Sequence, residues 1–280
     1  MPLDFLQTVV DVARKDPAAK TAGPLRLTFD SAADLYDVAR PAYPQKLFED
    51  LVTLAQLQPG SRLLEIGCAT GKATQPLLER GYSVVCVELG AQLAEVAHRK
   101  LVGLPVEIHV APFETWQGQP ESFDLIYAAT AWHWVDPEIR YRKAHDLLRP
   151  GGHLAFWSAT HAFPDGFDPF FSEIQEVYDA IGESYEGEWP PAPPDQVGDE
   201  TPEIEGSGLF GDVEVRRYLW EHRYTADEYI NLLNTFSGHI AMDPAKREHL
   251  YQDIRRRLAR RPDGRVERHW QAILHVARKL

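Results

Sequence analysis

The sequence predicts an α/β protein built on a doubly wound sheet of seven strands, mostly parallel, with a late antiparallel pair and a helical cap. Three observations carry this. Residues 61–158 alternate short β-rich runs with helical stretches. The β-rich runs are almost continuously apolar, as strands covered on both faces are. A small-residue loop follows the first of them, where such sheets bind their ligands.

In chain order, RLLEIG (62–67), SVVCVE (83–88), VEIHVA (106–111), FDLIYAA (123–129) and HLAFWS (153–158) have strand length and strand composition. Between them KATQPLLERG, AQLAEVAHRKLVG and PEIRYRKAHDLLRPGG carry helical spacing and end near Gly or Pro-Gly stops. A helical stretch near 168–181 follows. The segment 183–205 then contains eight acids, five prolines and no Lys or Arg, which marks a solvated loop that Tyr185 and Trp189 can pin to a surface. DVEVRRYLW (212–220) and ERHWQAILHVAR (267–278) read as two late strands, with helical patterns at 225–236 and 244–260 between them. No repeat of 20–50 residues is visible.

Length and charge limit the function. The 280 residues suit one large domain or one domain with an insertion. A net charge of −13 opposes a general grip on nucleic acid or anionic lipid. Cys68 and Cys86 lie in apolar runs and read as reduced core thiols, which places the chain in the cytoplasm. No segment has the roughly 18–20 continuous apolar residues of a membrane span. The start, MPLDFLQTVVDVARKD, lacks the basic leader of a signal peptide.

LLEIGCATGKAT (63–74) is the most informative stretch. A strand ends at Ile66, and Gly67, Cys68, Ala69 and Gly71 form a tight loop that opens a helix. Small residues there let a ligand approach the backbone. Glu88 ends the next strand about 20 residues on, where ribose hydroxyls are read in such sheets. The loop reads G-C-A-T-G-K, without the third glycine of a dinucleotide fingerprint, and Glu65 precedes it. An anion there repels a pyrophosphate and attracts a cation. A cationic, phosphate-free nucleoside fits, and that describes S-adenosylmethionine.

With these residues the chain resembles the class I S-adenosylmethionine-dependent methyltransferases, which have a Rossmann-like core. Glu65, Gly67, Ala69 and Gly71 are similar to their first motif, with Ala69 in place of the usual middle glycine. FDLIYAATAWHW (123–134) is similar to the fourth-strand motif and LLRPGGHLAF (147–156) to the turn into strand five. FDSAADLYDVARPAYP (29–44) resembles the lid opening of a small-molecule branch that includes trans-aconitate methyltransferase-like enzymes. The resemblance implies that Tyr36 and Arg40 lie over the methionine end, that Glu88 hydrogen-bonds the ribose, that Phe113 and Glu114 rim the adenine, and that Leu89 and Ala129 border the cofactor. Pro112 stands where many relatives carry an Asp that accepts from the adenine amino group. It further implies an N-terminal helical lid (1–45), a cofactor-binding core (46–160), and a remainder (161–280) that finishes the sheet and supplies the acidic loop and cap.

His133 is the candidate base beside a transferred methyl, although a His between tryptophans is more often a packed residue. Trp132 and Trp134 are candidates for an acceptor pocket or for simple packing. Tyr36 and Arg40, four apart, also read as an ordinary surface pair. Histidine spacing shows no metal motif. The RRRLARR run (255–261) reads as a solvated helix that pairs with the acidic 183–205 loop, with RNA contact as the weaker alternative. Tyr224, Tyr229 and Phe236 read as cap core. The expected activity is methyl transfer to a small-molecule O, N or carboxylate acceptor, with no nucleic acid or membrane partner and a homo-oligomer left open. A non-catalytic S-adenosylmethionine-binding protein and a nicotinamide-dependent oxidoreductase are the alternatives.

Overall fold

The computed structural model describes Asp30 and residues 33–280, so the expected lid before residue 30 lies outside the described residues. The chain divides into two compact units, each assembled from separate segments. Strands β7 (Phe210–Thr225) and β8 (Arg265–Lys279) contribute residues to both units.

One unit comprises Ala42–Ala159, Gly198–Tyr218 and Ala272–Leu280. It begins with α2 (Gln45–Leu54), after the short α1 (Ala33–Ala39) of the other unit. There follow β1 (Arg62–Ile66), α3 (Thr74–Leu78), β2 (Ser83–Glu88), α4 (Ala91–Lys100), β3 (Val106–Val110), β4 (Phe123–Ala129), α5 (Arg140–Leu147) and β5 (Leu148–Trp157). These are the runs the apolar pattern predicts, displaced by a few residues at their ends. β1 pairs in parallel with both β2 and β4, while β3 and β5 extend the two sides. The crossover from β3 to the other side of β1 makes the β1/β4 boundary the topological switch point, outside whose carboxyl ends ligands bind.

β8 runs antiparallel to β5, with His153 opposite Arg278 and Phe156 opposite His275. The late antiparallel pair is therefore present. The full sheet has eight strands, in the order β3-β2-β1-β4-β5-β8-β6, with β7 pairing β8. The additional strand is β6 (Ala159–Ala162), whose four residues, ATHA, lack an apolar run. A register shift between Phe123 and Leu125 accommodates the Pro150-Gly151-Gly152 turn within β5.

Packing explains why this unit holds. Leu64, Ile66, Val85, Val87, Ile126, Ala128, Leu154 and Phe156 share one buried cluster with Tyr141, Ala144 and Leu147 of α5. Each large side chain so buried stabilises by roughly 1.5–3 kcal/mol. Aromatic stacking adds orientation: Trp132 lies flat on Phe156 at 5.3 Å and Tyr127 on Trp157 at 6.1 Å.

Of the described residues, the second unit comprises Asp30 and 33–41, Thr160–Val197 and Leu219–Gln271. It holds α1, α6 (Phe170–Ala180), α8 (Ala226–Leu233), α9 (Ser237–Ala241) and α10 (Pro244–Leu258); α7 (Thr201–Gly206) lies in the first unit. Local sequence starts these helices. Thr225 and Glu228 form a capping box on α8, and Asp243 caps α10 ahead of Pro244. Tyr224, Tyr229 and Phe236 are buried, as expected.

The RRRLARR run differs from expectation in its partners. Arg255 pairs with Asp227, Arg256 with Asp253, Arg257 with Glu173 and Glu176, and Arg261 with Asp168. None of these acids belongs to 183–205, because the helix turns its cations toward α6 and α8. Acids of that segment pair elsewhere: Glu183 with Lys246, Asp199 with Arg217, and Glu203 with Arg140. No helix among the described residues is long and apolar enough to cross a membrane.

Candidate cofactor site

The loop between β1 and α3 is a run of left-handed backbone. Gly67 has φ +70°, Ala69 +46° and Gly71 +81°. Glycine suits such angles, and Ala69 is an uncommon non-glycine exception. A second constraint acts at Gly67, where a Cβ would come within 2.6 Å of the Ala131 Cβ beyond β4. Ala131 thus packs directly on the loop across the switch point. Gly67 N–H donates to Val87 O at 2.8 Å and Gly71 N–H to Cys68 O at 2.8 Å, which closes the turn.

Glu88, at the end of β2, is buried and binds backbone at both oxygens. Oε2 accepts from Ala69 N–H and Oε1 from Gly90 N–H, each at 2.8 Å. Its own carbonyl accepts from Ala111 N–H at 2.9 Å, which ties the end of β3 to the same place. Leu89 is half-buried beside it. Glu65, Gly67, Cys68, Ala69, Gly71, Glu88 and Leu89 are therefore gathered at the carboxyl ends of β1 and β2, with Ala129 at the end of β4.

Glu65 occupies the interior, with 1% of its surface exposed. Oε2 accepts from Thr74 Oγ1 at 2.5 Å and Tyr127 Oη at 2.7 Å, while Oε1 is buried without a hydrogen-bond partner. Burial raises the carboxyl to about 7, against the two hydrogen bonds and with a small contribution from Glu88. The acid that precedes the loop thus fastens α3 and β4 to β1. Cys68 and Cys86 are buried free thiols in this neighbourhood, and each is raised above its ordinary value.

Residues after β3 and β4 complete the surroundings. Phe113 is buried in the core cluster with the Lys143 ammonium 5.1 Å from its ring centre. Glu114 is half-buried, and its carbonyl accepts from Lys143 Nζ at 3.1 Å. Trp132, a candidate for an acceptor pocket or for simple packing, is buried with its ring stacked on Phe156 and edge-on to Tyr141. Trp134 is half-buried, with its ring 4.9 Å from that of His133. Both His133 ring nitrogens are buried without a hydrogen-bond partner. Burial, helped by the Arg140 cation, lowers its imidazole to about 4, so it is neutral at pH 7.

Tyr36 and Arg40 belong to the other unit. Arg40 is buried, donating from Nε to Thr235 Oγ1 at 2.8 Å and from Nη2 to Thr235 O at 2.9 Å. Its guanidinium carbon lies 5.2 Å from the Tyr36 ring centre, across the end of α1.

Three contributors escape the motif reading. Thr130 sits at φ +57°, an outlier for a β-branched residue. Its hydroxyl meets Tyr43 Oη at 3.0 Å and accepts from Ala159 N–H at 3.2 Å. Tyr127 reaches Glu65 from β4. The threonine directly after a strand was the available signal for the first; no local pattern marks Tyr43 or Tyr127.

Comparison with known proteins now identifies the class. A methyltransferase domain model matches residues 64–156. An uncharacterized methyltransferase of Geobacillus kaustophilus is 30% identical over 158 residues, 53% of this chain and 72% of that protein. One of Mycobacterium tuberculosis is 31% identical over 159 residues, 56% of this chain and 60% of that protein, so the chain spans less than two thirds of that relative. Among solved structures, phosphoethanolamine N-methyltransferase 2 of Haemonchus contortus, in complex with phosphomonomethylethanolamine and S-adenosylhomocysteine, is similar in fold with a TM-score of 0.52. It is 17% identical, covering 89% of this chain and 57% of that one. The chain belongs to the methyltransferase-domain family, whose cofactor is S-adenosylmethionine. The residues present fit that group. The cradle at Gly67 has no room for a side chain, and a carboxylate closes the neighbouring strand without a phosphate-binding glycine fingerprint.

Proposed function

We propose that this protein transfers a methyl group from S-adenosylmethionine to a small-molecule acceptor. The observation that carries the reading is the Gly67–Gly71 loop held against the Glu88 carboxylate at the switch point of a doubly wound sheet. When bound, the cofactor would supply a sulfonium methyl to which an acceptor nucleophile bonds in line as the C–S bond breaks and S-adenosylhomocysteine leaves.

The chain's part is binding and orientation. Glu88 offers carboxylate oxygens to the ribose hydroxyls, at the cost of sharing them with Ala69 N–H and Gly90 N–H. Gly67 keeps the loop floor open. Glu65 acts indirectly, fixing where α3 starts through Thr74 and where β4 ends through Tyr127. His133 is a neutral imidazole with one nitrogen able to accept and the other to donate. With its imidazole near 4 it is a weak base. It therefore suits holding an acceptor O–H or N–H more than removing its proton. The family's small-molecule branch and a cytoplasmic location rest on the 29–44 motif and on the two reduced thiols.

The test is calorimetry with S-adenosylhomocysteine and with NADH, followed by radiolabelled methyl transfer to a panel of small acids, alcohols and amines. The reading requires S-adenosylhomocysteine binding without NADH binding, and label in a small molecule. Heat with NADH alone would reverse it. For His133, substitution by Phe should raise KM for the acceptor more than it lowers kcat.

A further inference from the structure

Among the described residues of the second unit, Arg268 stands out. It lies in β8 with 5% of its surface exposed, its Nε is sealed from solvent with no hydrogen-bond acceptor, and among the described residues it makes no ion pair. A guanidinium stays charged at any ordinary pH, and a buried charge is normally paired. What surrounds it is aromatic and cationic. The guanidinium carbon is 4.4 Å from the Trp270 ring centre and 5.5 Å from that of Phe236. Arg40 lies on the same Phe236 ring at 4.2 Å, oriented by its two hydrogen bonds to Thr235.

The Arg268 charge acts on further polar groups of this unit. His161 is half-buried with its Nε2 sealed and lacking a partner, and desolvation, Arg268 and His269 hold it well below its ordinary value. His239 is bonded to Tyr178 Oη at 3.1 Å and is likewise kept neutral by burial and by Arg268. Tyr224 Oη accepts from Trp270 Nε1 at 3.2 Å and feels both Arg268 and Arg40. Two guanidiniums on one ring, neutral histidines and a phenol make a centre of positive potential in a chain whose net charge is −13. Ring faces balance a guanidinium above and below its plane, but its in-plane N–H groups need oxygen acceptors.

We propose that this unit contains a binding site for a small oxyanion, a carboxylate or a phosphate, received by Arg268 with Arg40 and Tyr224 beside it. The proposal rests on this unit alone and is independent of the methyl-transfer reading. A planar bidentate acceptor satisfies the Arg268 fork.

The experiment titrates the full chain at low ionic strength with succinate and with inorganic phosphate, using S-adenosylhomocysteine in the same preparation as the control for the other site. At least one anion should bind wild type, the stronger of the two naming the source. Arg268→Gln should weaken it by about tenfold or more while S-adenosylhomocysteine binding is unchanged. Arg268→Met gives a second readout. Removing an unpaired buried cation should leave Tm unchanged or raise it, and added anion should stabilise wild type only. Failure of both anions to bind a chain that binds S-adenosylhomocysteine would overturn the site and leave the methyltransferase reading intact. So would Arg268→Gln binding as wild type does, or Arg268→Met melting well below wild type with no anion effect in either.

Discussion

The carboxylate of Glu88 accepts the backbone N–H of Ala69 at 2.8 Å, so the acid that ends β2 shapes the loop that ends β1. The contact gives Glu88 a part in loop support beside the ribose contact proposed for it. Glu88→Gln keeps an acceptor oxygen but loses the charge, whereas Glu88→Ala removes both backbone contacts. Hydrogen bonds to a charged group contribute about 1.5–3 kcal/mol each, or roughly 10–100-fold. S-adenosylhomocysteine affinity measured by calorimetry should fall by that order in Glu88→Ala and by less in Glu88→Gln. Equal affinity in wild type and Glu88→Ala would remove Glu88 from the site.

Gly67 is constrained twice, by φ +70° and by the Ala131 Cβ at 2.6 Å from where its own Cβ would be. Gly67→Ala therefore adds backbone strain of about 1–3 kcal/mol and a steric clash. The double variant with Ala131→Gly removes the clash and keeps the strain. Urea midpoints should rank wild type above the double variant and the double variant above Gly67→Ala. An unaltered midpoint in Gly67→Ala would show that the loop yields easily.

Glu65 links stability to pH. Its carboxyl is raised to about 7 from an ordinary 4.5, so the folded chain holds a proton that the unfolded chain has already released between these values. The contribution to stability is fully present below about 4.5 and is lost as pH rises through about 7, by roughly 3 kcal/mol in total. Glu65→Gln keeps acceptor capacity toward Thr74 and Tyr127 and removes the ionisation. Its stability difference from wild type should grow in the variant's favour from about pH 5 to about pH 8, read from urea midpoints at each pH. A difference independent of pH would place the carboxyl at its ordinary value.

Why some of this was legible in the sequence and some was not follows from range. β1, β2, β4 and the second half of β5 are almost wholly buried and leave mostly apolar runs, and the loop leaves glycines because its backbone is left-handed. β6 has four residues and one of them is His161, so no pattern announces it. α7 lies inside the acidic stretch, anchored by the buried Ile204 and by Glu203 on Arg140. The same limit applies in the site. Glu65 was visible from its place before the loop, but its partner Tyr127 is 62 residues away and its burial is tertiary. Arg268 carries no local signal within the 267–278 run, and only packing shows that no acid of the described residues pairs with it.

Asp168 is the junction of the second unit. Its two oxygens accept from Arg261 Nη2 at 2.8 Å and Nη1 at 2.9 Å, and from the N–H groups of Phe170 and Glu267 at 3.0 Å each. It thereby joins the start of α6, the chain after α10 and the start of β8. Burial alone would raise its carboxyl, but the Arg261 bonds and the two backbone donors together hold it below its ordinary value. A depressed acid stabilises above its unfolded value near 3.8 and loses that contribution as pH falls through the folded value. Arg261 keeps 31% of its side chain in solvent, so the loss on breaking the pair is smaller than the 3–5 kcal/mol of a sealed one. Asp168→Asn should cost roughly 1–3 kcal/mol near neutral pH. Arg261→Lys should cost less, because it keeps the charge and loses only the fork. In acid the wild-type and Asp168→Asn curves should converge, since protonation removes from the wild type what the substitution has already removed. Parallel acid limbs in the two melting profiles would place the acid sensitivity elsewhere.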